Sequence, residues 1–249
     1  MGDDGRAGSG WPDLRRGSDN QPRDPAHRYL VAPASDDPAF RRFFTQGVQV
    51  LRLAGQREVA AEGDVLESAA GVAVRRENQA ADGLQRAADA VAVAIAAKQP
   101  GIIGVHFEGP HLSVPKKGVH PVAHIRPLSE QELAIYARSD LGVKMVTVAP
   151  ENISPAQISQ LVAMNVIVCL GHSNADGATV DAAIAAGATG FTHLYNAMSP
   201  LTSREPGMVG VALADRNSWC GIIFDGHHVH PVAAKLALAA KPRGKMLIV

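Results

Sequence analysis

Glu108, Glu151, His172, His193, Asp225 and His228 share one feature: each stands at or just past the end of an apolar run. The runs are 102–107, 144–149, 166–170, 190–192 and 219–224. One carboxylate and two neutral imidazoles, brought together, make a borderline-to-hard donor set suited to Zn²⁺, Fe²⁺, Mn²⁺ or Co²⁺. Glu108, His172 and His193 are the candidate ligands. Three protein ligands leave a coordination position open for water, which such an ion acidifies toward neutral pH. A lone histidine in GHSNA would read as a loop residue satisfied by backbone. A second histidine and a glutamate at equivalent positions favour a metal site of one or two ions. His172 and His193 lie 21 residues apart, one strand–helix unit, and are predicted at neighbouring strand ends.

The elements that must position them alternate in type. LQRAADAVAVAIAAKQ has the spacing of an amphipathic helix. After it the pattern predicts a strand at 102–107, a helix near 129–139, a strand at 144–149 and a helix at 155–164. It continues with a strand at 166–170, a helix at 176–186 and a short strand at 190–192. A strand at 219–224, a helix near 231–240 and a strand in KMLIV complete it. These strands are continuous apolar runs, as parallel strands covered on both faces require. The alternation predicts a parallel α/β architecture, whose sites form at the C-terminal edge of the strands. Six strands are countable, where a closed barrel has eight. Residues 1–80 read as an irregular segment. RRGSDNQPRDPAHR cannot bury enough apolar surface to offset its ordering entropy, and charges within 45–76 spoil both helical and strand periods. The expected division is therefore 1–80 irregular and 81–249 a partial barrel domain.

Composition narrows the partners. Among 249 residues, 46% are hydrophobic and 19% charged, which suits a globular core. Lys+Arg and Asp+Glu are both 24, so no net charge attracts nucleic acid or an anionic membrane. No apolar stretch reaches the roughly 18 residues that span a bilayer. MGDDGRAGSGWPDLRR has no apolar core following its charges and does not read as a signal peptide. Cys169 and Cys220 each sit in an apolar run, as core thiols of a cytoplasmic protein would.

Taken together, VHFEGPHL, KKGVHP, VTVAPE, GHSNA, THLYNAM, REPGMVG and GIIFDGHHVHP resemble the N-acetylglucosamine-6-phosphate deacetylases of the amidohydrolase superfamily, in that family's order and spacing. The resemblance implies a (β/α)₈ TIM-type metallo-dependent hydrolase barrel, incomplete here at about six of eight strands. It makes Glu108, His172 and His193 the metal ligands. It places the Val119 backbone and His120 of KKGVH, and Asn196 and Ala197 of LYNAM, against the sugar. Arg204 of SREPG would meet the phosphate, often across a homodimer interface. His228 would support catalysis near the scissile amide, with Asp225, Gly226 and His227 as its adjoining loop. Glu151 reads as ordering its loop and not as a ligand, and His230 as an exposed loop residue.

The implied reaction is hydrolysis of N-acetylglucosamine 6-phosphate to glucosamine 6-phosphate and acetate, a step of N-acetylglucosamine catabolism. His120 or His228 could donate a hydrogen bond to the developing oxyanion, and Arg204 offers phosphate a planar fork. The family's acid/base aspartate belongs to a TDA motif expected just beyond Val249. A chain without it is expected to lose on the order of 10²-fold to 10⁴-fold in rate. The alternatives are a non-catalytic metal- and sugar-phosphate-binding remnant, or an amidohydrolase acting on another amide.

Overall fold

The computed structural model describes residues 48–52, 81–99 and 101–249, so most of the segment expected to be irregular lies outside the described residues. Six parallel strands pair in sequence order, β2 (Ile102–Glu108), β3 (Val143–Val148), β4 (Val166–Leu170), β5 (Gly190–Phe191), β6 (Trp219–Ile222) and β7 (Met246–Ile248). Helices α1 (Ala81–Ala96), α2 (Glu130–Tyr136), α3 (Pro155–Ala163), α4 (Gly177–Ala185) and α6 (Pro231–Ala240) fall where the periodicity predicts them. The result is a half-barrel of α/β type. Val105, Phe107, Val146, Val168 and Leu170 are almost fully buried, as strands sandwiched between layers must be.

The helix starts are written locally. Ser129 accepts from the Glu132 N–H while Glu132 reaches back to the Ser129 N–H, and Ser154 and Gln157 repeat this reciprocal cap. Asp176 caps α4 by accepting from the Thr179 N–H. His230, read from sequence as an exposed loop residue, has a structural job: its Nδ1 accepts from the Val232 N–H and caps α6.

Two elements escape the periodicity. Helix α5 (Gly207–Ala214, GMVGVALA) was not expected. It is apolar throughout and buried from Gly207 to Ala212, so no polar face marks its period, and its glycines and valines are weak helix formers. Strand β1 (Val48–Arg52) lies within a stretch where no element was predicted. It pairs antiparallel with β2, Val48 opposite Phe107, through backbone groups that flanking charges do not block. Strand β6 also ends earlier than expected, leaving Phe224 46% exposed beyond the sheet.

Candidate metal centre

Glu108 is the last residue of β2, and the two-residue period of a strand puts it on the same face as His106. His172 follows β4 by two residues and His193 follows β5 by two. Both histidines have left-handed backbones, with φ of 48° and 38°, and Tyr195 and Ala197 share that region. Such φ values are costly for residues with a side chain and persist where surrounding contacts enforce them, which is typical of functional sites. The turns aim both imidazoles at Glu108. Its Oε1 lies 2.9 Å from His193 Nε2 and 3.1 Å from His172 Nε2, and the two Nε2 atoms are 3.0 Å apart.

This donor set fits a cation. The Lys116 carbonyl accepts from His172 Nδ1 at 2.9 Å, so in the neutral ring the Nε2 lone pair faces Glu108. Three electron-rich atoms at mutual distances near 3 Å repel unless a proton or metal ion lies among them. Ligands of a tetrahedral ion with bonds of about 2.0–2.1 Å would stand about 3.3 Å apart. Glu108, His172 and His193 are the one group of at least three such residues that could hold an ion among the described residues. Burial alone would raise the Glu108 carboxyl, but hydrogen bonds and charge from His172 and His193 outweigh it and hold it well below its usual range. Burial pulls His193 down, yet Glu108 outweighs that and keeps it above its ordinary value.

Supporting groups hold the turn that carries His172. Glu151 accepts from Ser173 Oγ at 2.6 Å and the Asn174 N–H at 2.7 Å, ordering the turn after His172 as expected. Gly118 has φ of 55°, and a Cβ there would approach His172 Cε1 to 3.1 Å, so the KKGVH loop lies directly against the His172 ring. The segment after that loop is tied down at Arg126. Glu132, fully buried, accepts from Arg126 Nε at 2.7 Å, and the Arg126 carbonyl accepts from His111 Nδ1 at 3.0 Å.

The sequence reading missed His106, which is buried, 2.7 Å from Thr147 Oγ1. Thr147 Oγ1 in turn lies 2.6 Å from Thr192 Oγ1, beside His193. Burial pushes the His106 ring down to about 4, against the opposing charge of Glu108. The signal was available: His106 and Glu108 are two apart in one strand.

The remaining candidates divide into two groups. His120 is brought to the centre, 3% exposed, its ring edge-on to His172 at 4.7 Å; burial pushes it down to about 4. Val119 beside it is 70% exposed. Ala197 is tied to the same turn, its carbonyl accepting from the Ser173 N–H at 3.0 Å. The Asn196 side chain makes a 3.5 Å contact to the Leu194 carbonyl and does not cap a turn strongly, while its N–H donates to the His193 carbonyl at 3.0 Å.

Arg204 is exposed on its loop, with no ion pair among the described residues. Asp225, Gly226, His227 and His228 form an exposed turn after β6, with Gly226 at φ of 76°. Asp225 Oδ1 accepts from the His227 and His228 N–H groups, and Oδ2 lies 2.6 Å from His228 Nδ1. These backbone hydrogen bonds hold the Asp225 carboxyl far below its usual range. The hydrogen bond also bears on the oxyanion role expected of His228. With Nδ1 donating to Asp225, a neutral ring presents Nε2 as an acceptor, so donation to an oxyanion requires the protonated ring.

No family model matches the chain. An N-acetylgalactosamine-6-phosphate deacetylase of Shewanella sp. (strain ANA-3) is 61% identical over 166 residues, covering 67% of this chain and 42% of that protein. The N-acetylglucosamine-6-phosphate deacetylase of Bos taurus is 42% identical over 158 residues, covering 59% of this chain and 38% of that protein. Among solved structures, the N-acetylglucosamine-6-phosphate deacetylase of Pasteurella multocida superposes with a TM-score of 0.64 at 37% identity, covering 68% of this chain and 44% of that one. A D267A mutant of the Mycobacterium smegmatis enzyme, in complex with N-acetyl-D-glucosamine-6-phosphate, gives 0.64 at 30% identity, covering 72% and 51%. The chain thus spans about two fifths of the length of the curated relatives it matches. The names of these relatives do not favour an amidohydrolase acting on a different amide. By sequence and by fold, the half-barrel belongs to the family of the N-acetylglucosamine- and N-acetylgalactosamine-6-phosphate deacetylases.

Proposed function

We propose that this protein takes part in metal-dependent removal of the N-acetyl group from an N-acetylhexosamine 6-phosphate, releasing acetate and the amino-sugar phosphate. The observation that carries the reading is the convergence of Glu108, His172 and His193 at three parallel strand ends, their donor atoms all within 4.8 Å of one another. A divalent ion held there supplies Lewis acidity toward the acetyl carbonyl and acidifies water toward neutral pH. The chain's own residues do the positioning. Lys116 fixes the His172 tautomer through its carbonyl, and His120, neutral at physiological pH, stands beside the ligands as a hydrogen-bonding group for the acetamide. Asn196, Ala197 and the Val119 backbone contact the sugar. Arg204 receives the phosphate, and the Asp225–His228 turn closes the far side of the site.

The 61% identity to an N-acetylgalactosamine-6-phosphate deacetylase, against 42% to the bovine glucosamine enzyme, supports a second reading of the sugar. The two substrates differ only in configuration at C4, far from the reacting amide. We place the protein in the cytoplasm, in amino-sugar catabolism and as a homodimer. Two buried free thiols, Cys169 and Cys220, suit a reducing compartment, and among the described residues no helix is long and apolar enough to cross a membrane.

The test is acetate release by the Zn²⁺- or Fe²⁺-loaded protein from both epimeric N-acetylhexosamine 6-phosphates, with the metal-free protein as control. Metal-dependent release from either epimer supports the reading and ranks the sugars. No metal-dependent release from either overturns it.

A further inference from the structure

Three polar side chains meet on the Glu108 face of the sheet, and no step of the proposed reaction uses them. His106 Nε2 lies 2.7 Å from Thr147 Oγ1, which lies 2.6 Å from Thr192 Oγ1. His106 is 3% exposed, Thr147 is fully buried and Thr192 is half-buried. The opposite face of β2 and β3 carries Phe107, Val146 and Val148, all buried. Polar groups withdrawn from water are costly unless they satisfy one another, so apolar side chains would fill this space at lower cost.

Each member of the chain stands next to a candidate ligand. His106 precedes Glu108 by two residues on the same face of β2. Thr147 pairs with Glu108 in the parallel register of β2 and β3. Thr192 directly precedes His193, and Gly171 directly precedes His172. Gly171, just past the end of β4, leaves room for the link between the threonines. A Cβ there would stand 3.0 Å from Thr147 Cγ2 and 3.2 Å from Thr192 Cβ. The glycine thus lets a side chain of β3 reach the residue after β5 across the intervening strand.

The tie matters most at β5. That strand is 2 residues long, and so short a ladder fixes it weakly. Glu108 and His193 belong to strands that are not neighbours, with β3 and β4 between them. Backbone pairing alone fixes their separation only through three successive strand pairs. The side chains join the same two arms in two hydrogen bonds. They also anchor Thr192 just before the backbone enters the left-handed φ of 38° at His193.

We propose that His106, Thr147 and Thr192 are positioning residues whose hydrogen-bond chain sets the separation of Glu108 from His193, and thereby the affinity and geometry with which the site holds a divalent cation. The inference rests on the reading of Glu108, His172 and His193 as metal ligands. In this role the three residues touch neither ion nor substrate and act through the backbone of the ligand-bearing segments. Groups that orient a metal ligand directly contribute about 10-fold to 100-fold in affinity. This chain acts one step further out and falls at the lower end of that range.

The test combines Zn²⁺ affinity, measured by competition with a chromophoric chelator, with the visible absorption of the Co²⁺-loaded chain, whose bands report coordination geometry. The melting temperature of each metal-free variant is recorded alongside. Thr147→Val removes the central hydroxyl and keeps the branched shape. Expected is a loss of roughly tenfold in Zn²⁺ affinity and a shifted Co²⁺ spectrum. Thr192→Val, at the half-buried end of the chain, should do the same, and it carries the comparison if Thr147→Val fails to fold. Combining the two should cost no more than the larger single loss, because a chain broken once is already open. Thr147→Ser keeps the hydroxyl and should retain the parent's affinity and spectrum. Unchanged affinity and spectrum in the valine variants, whatever their melting temperatures, overturn the proposal. So do losses that simply add, or a serine variant as weak as the valine one. If Glu108→Gln abolishes binding while the valine variants bind as the parent does, the proposal alone fails. If the parent chain binds neither ion, the metal reading falls and the proposal with it.

Discussion

Glu108→Gln separates a metal-holding role for this carboxylate from a merely structural one. The substitution keeps size and hydrogen-bonding shape but removes the charge lying 2.9 Å and 3.1 Å from the two imidazoles. Changing groups that only orient a metal ligand costs about 10-fold to 100-fold in metal affinity. Loss of a direct anionic donor, one of three, should cost at least about 100-fold, or about 2.7 kcal/mol. At free Zn²⁺ near 100 times the parent's dissociation constant, the parent gains about 2.7 kcal/mol of stability. For a domain of this size that raises Tm by about 5–11 °C. The variant, at the same zinc concentration, sits near its own dissociation constant and gains only about 0.4 kcal/mol, a rise of about 1 °C. The assay is differential scanning fluorimetry of both proteins with EDTA and with buffered Zn²⁺, read as the metal-dependent increment so that effects on the apo fold cancel. A parent without an increment, or a variant with the parent's full increment, refutes the reasoning.

Two further outcomes follow from other buried groups. Lys241 is 4% exposed, and its Nζ donates to the Ala212 and Asp215 carbonyls at the end of α5 and to Ser218 Oγ. Lys241→Met keeps the alkyl stem but strands those carbonyls, so it should destabilise by about 2–4 kcal/mol in urea denaturation; a change below about 1 kcal/mol would show that water replaces the ammonium. Burial pushes the Cys169 thiol up to about 12 and the Cys220 thiol up to about 11, so neither is a thiolate at pH 8. Mass spectrometry after iodoacetamide treatment at that pH should find no adduct on the native chain and two on the denatured one, and equally fast native labelling would contradict the burial.

What the sequence shows by itself is local order and its consequence for placement. Continuous apolar runs alternating with helical periods yield parallel strands, and parallel strands expose their chemistry at one edge. Glu108, His172 and His193 were therefore legible as a set, because each stands at or just past the end of a run. Capped helices such as α2 and α3 were legible for the same reason, since Ser129 with Glu132 and Ser154 with Gln157 act within four residues. Helix α5 was not, because an element buried on every side has no polar face to reveal its period. Strand β1 was not, because its pairing with β2 uses backbone groups that every sequence carries. The His172 tautomer depends on the carbonyl of Lys116, 56 residues away. The Gly177 N–H at the start of α4 finds its acceptor in the Glu205 carboxylate, 28 residues away. Distances of 2.9–3.1 Å among three donors, and the left-handed turns that produce them, come from packing between whole strand–helix units. Residue types name the candidate ligands, but only tertiary contacts over long sequence separations can force costly backbone angles and hold three electron-rich atoms together.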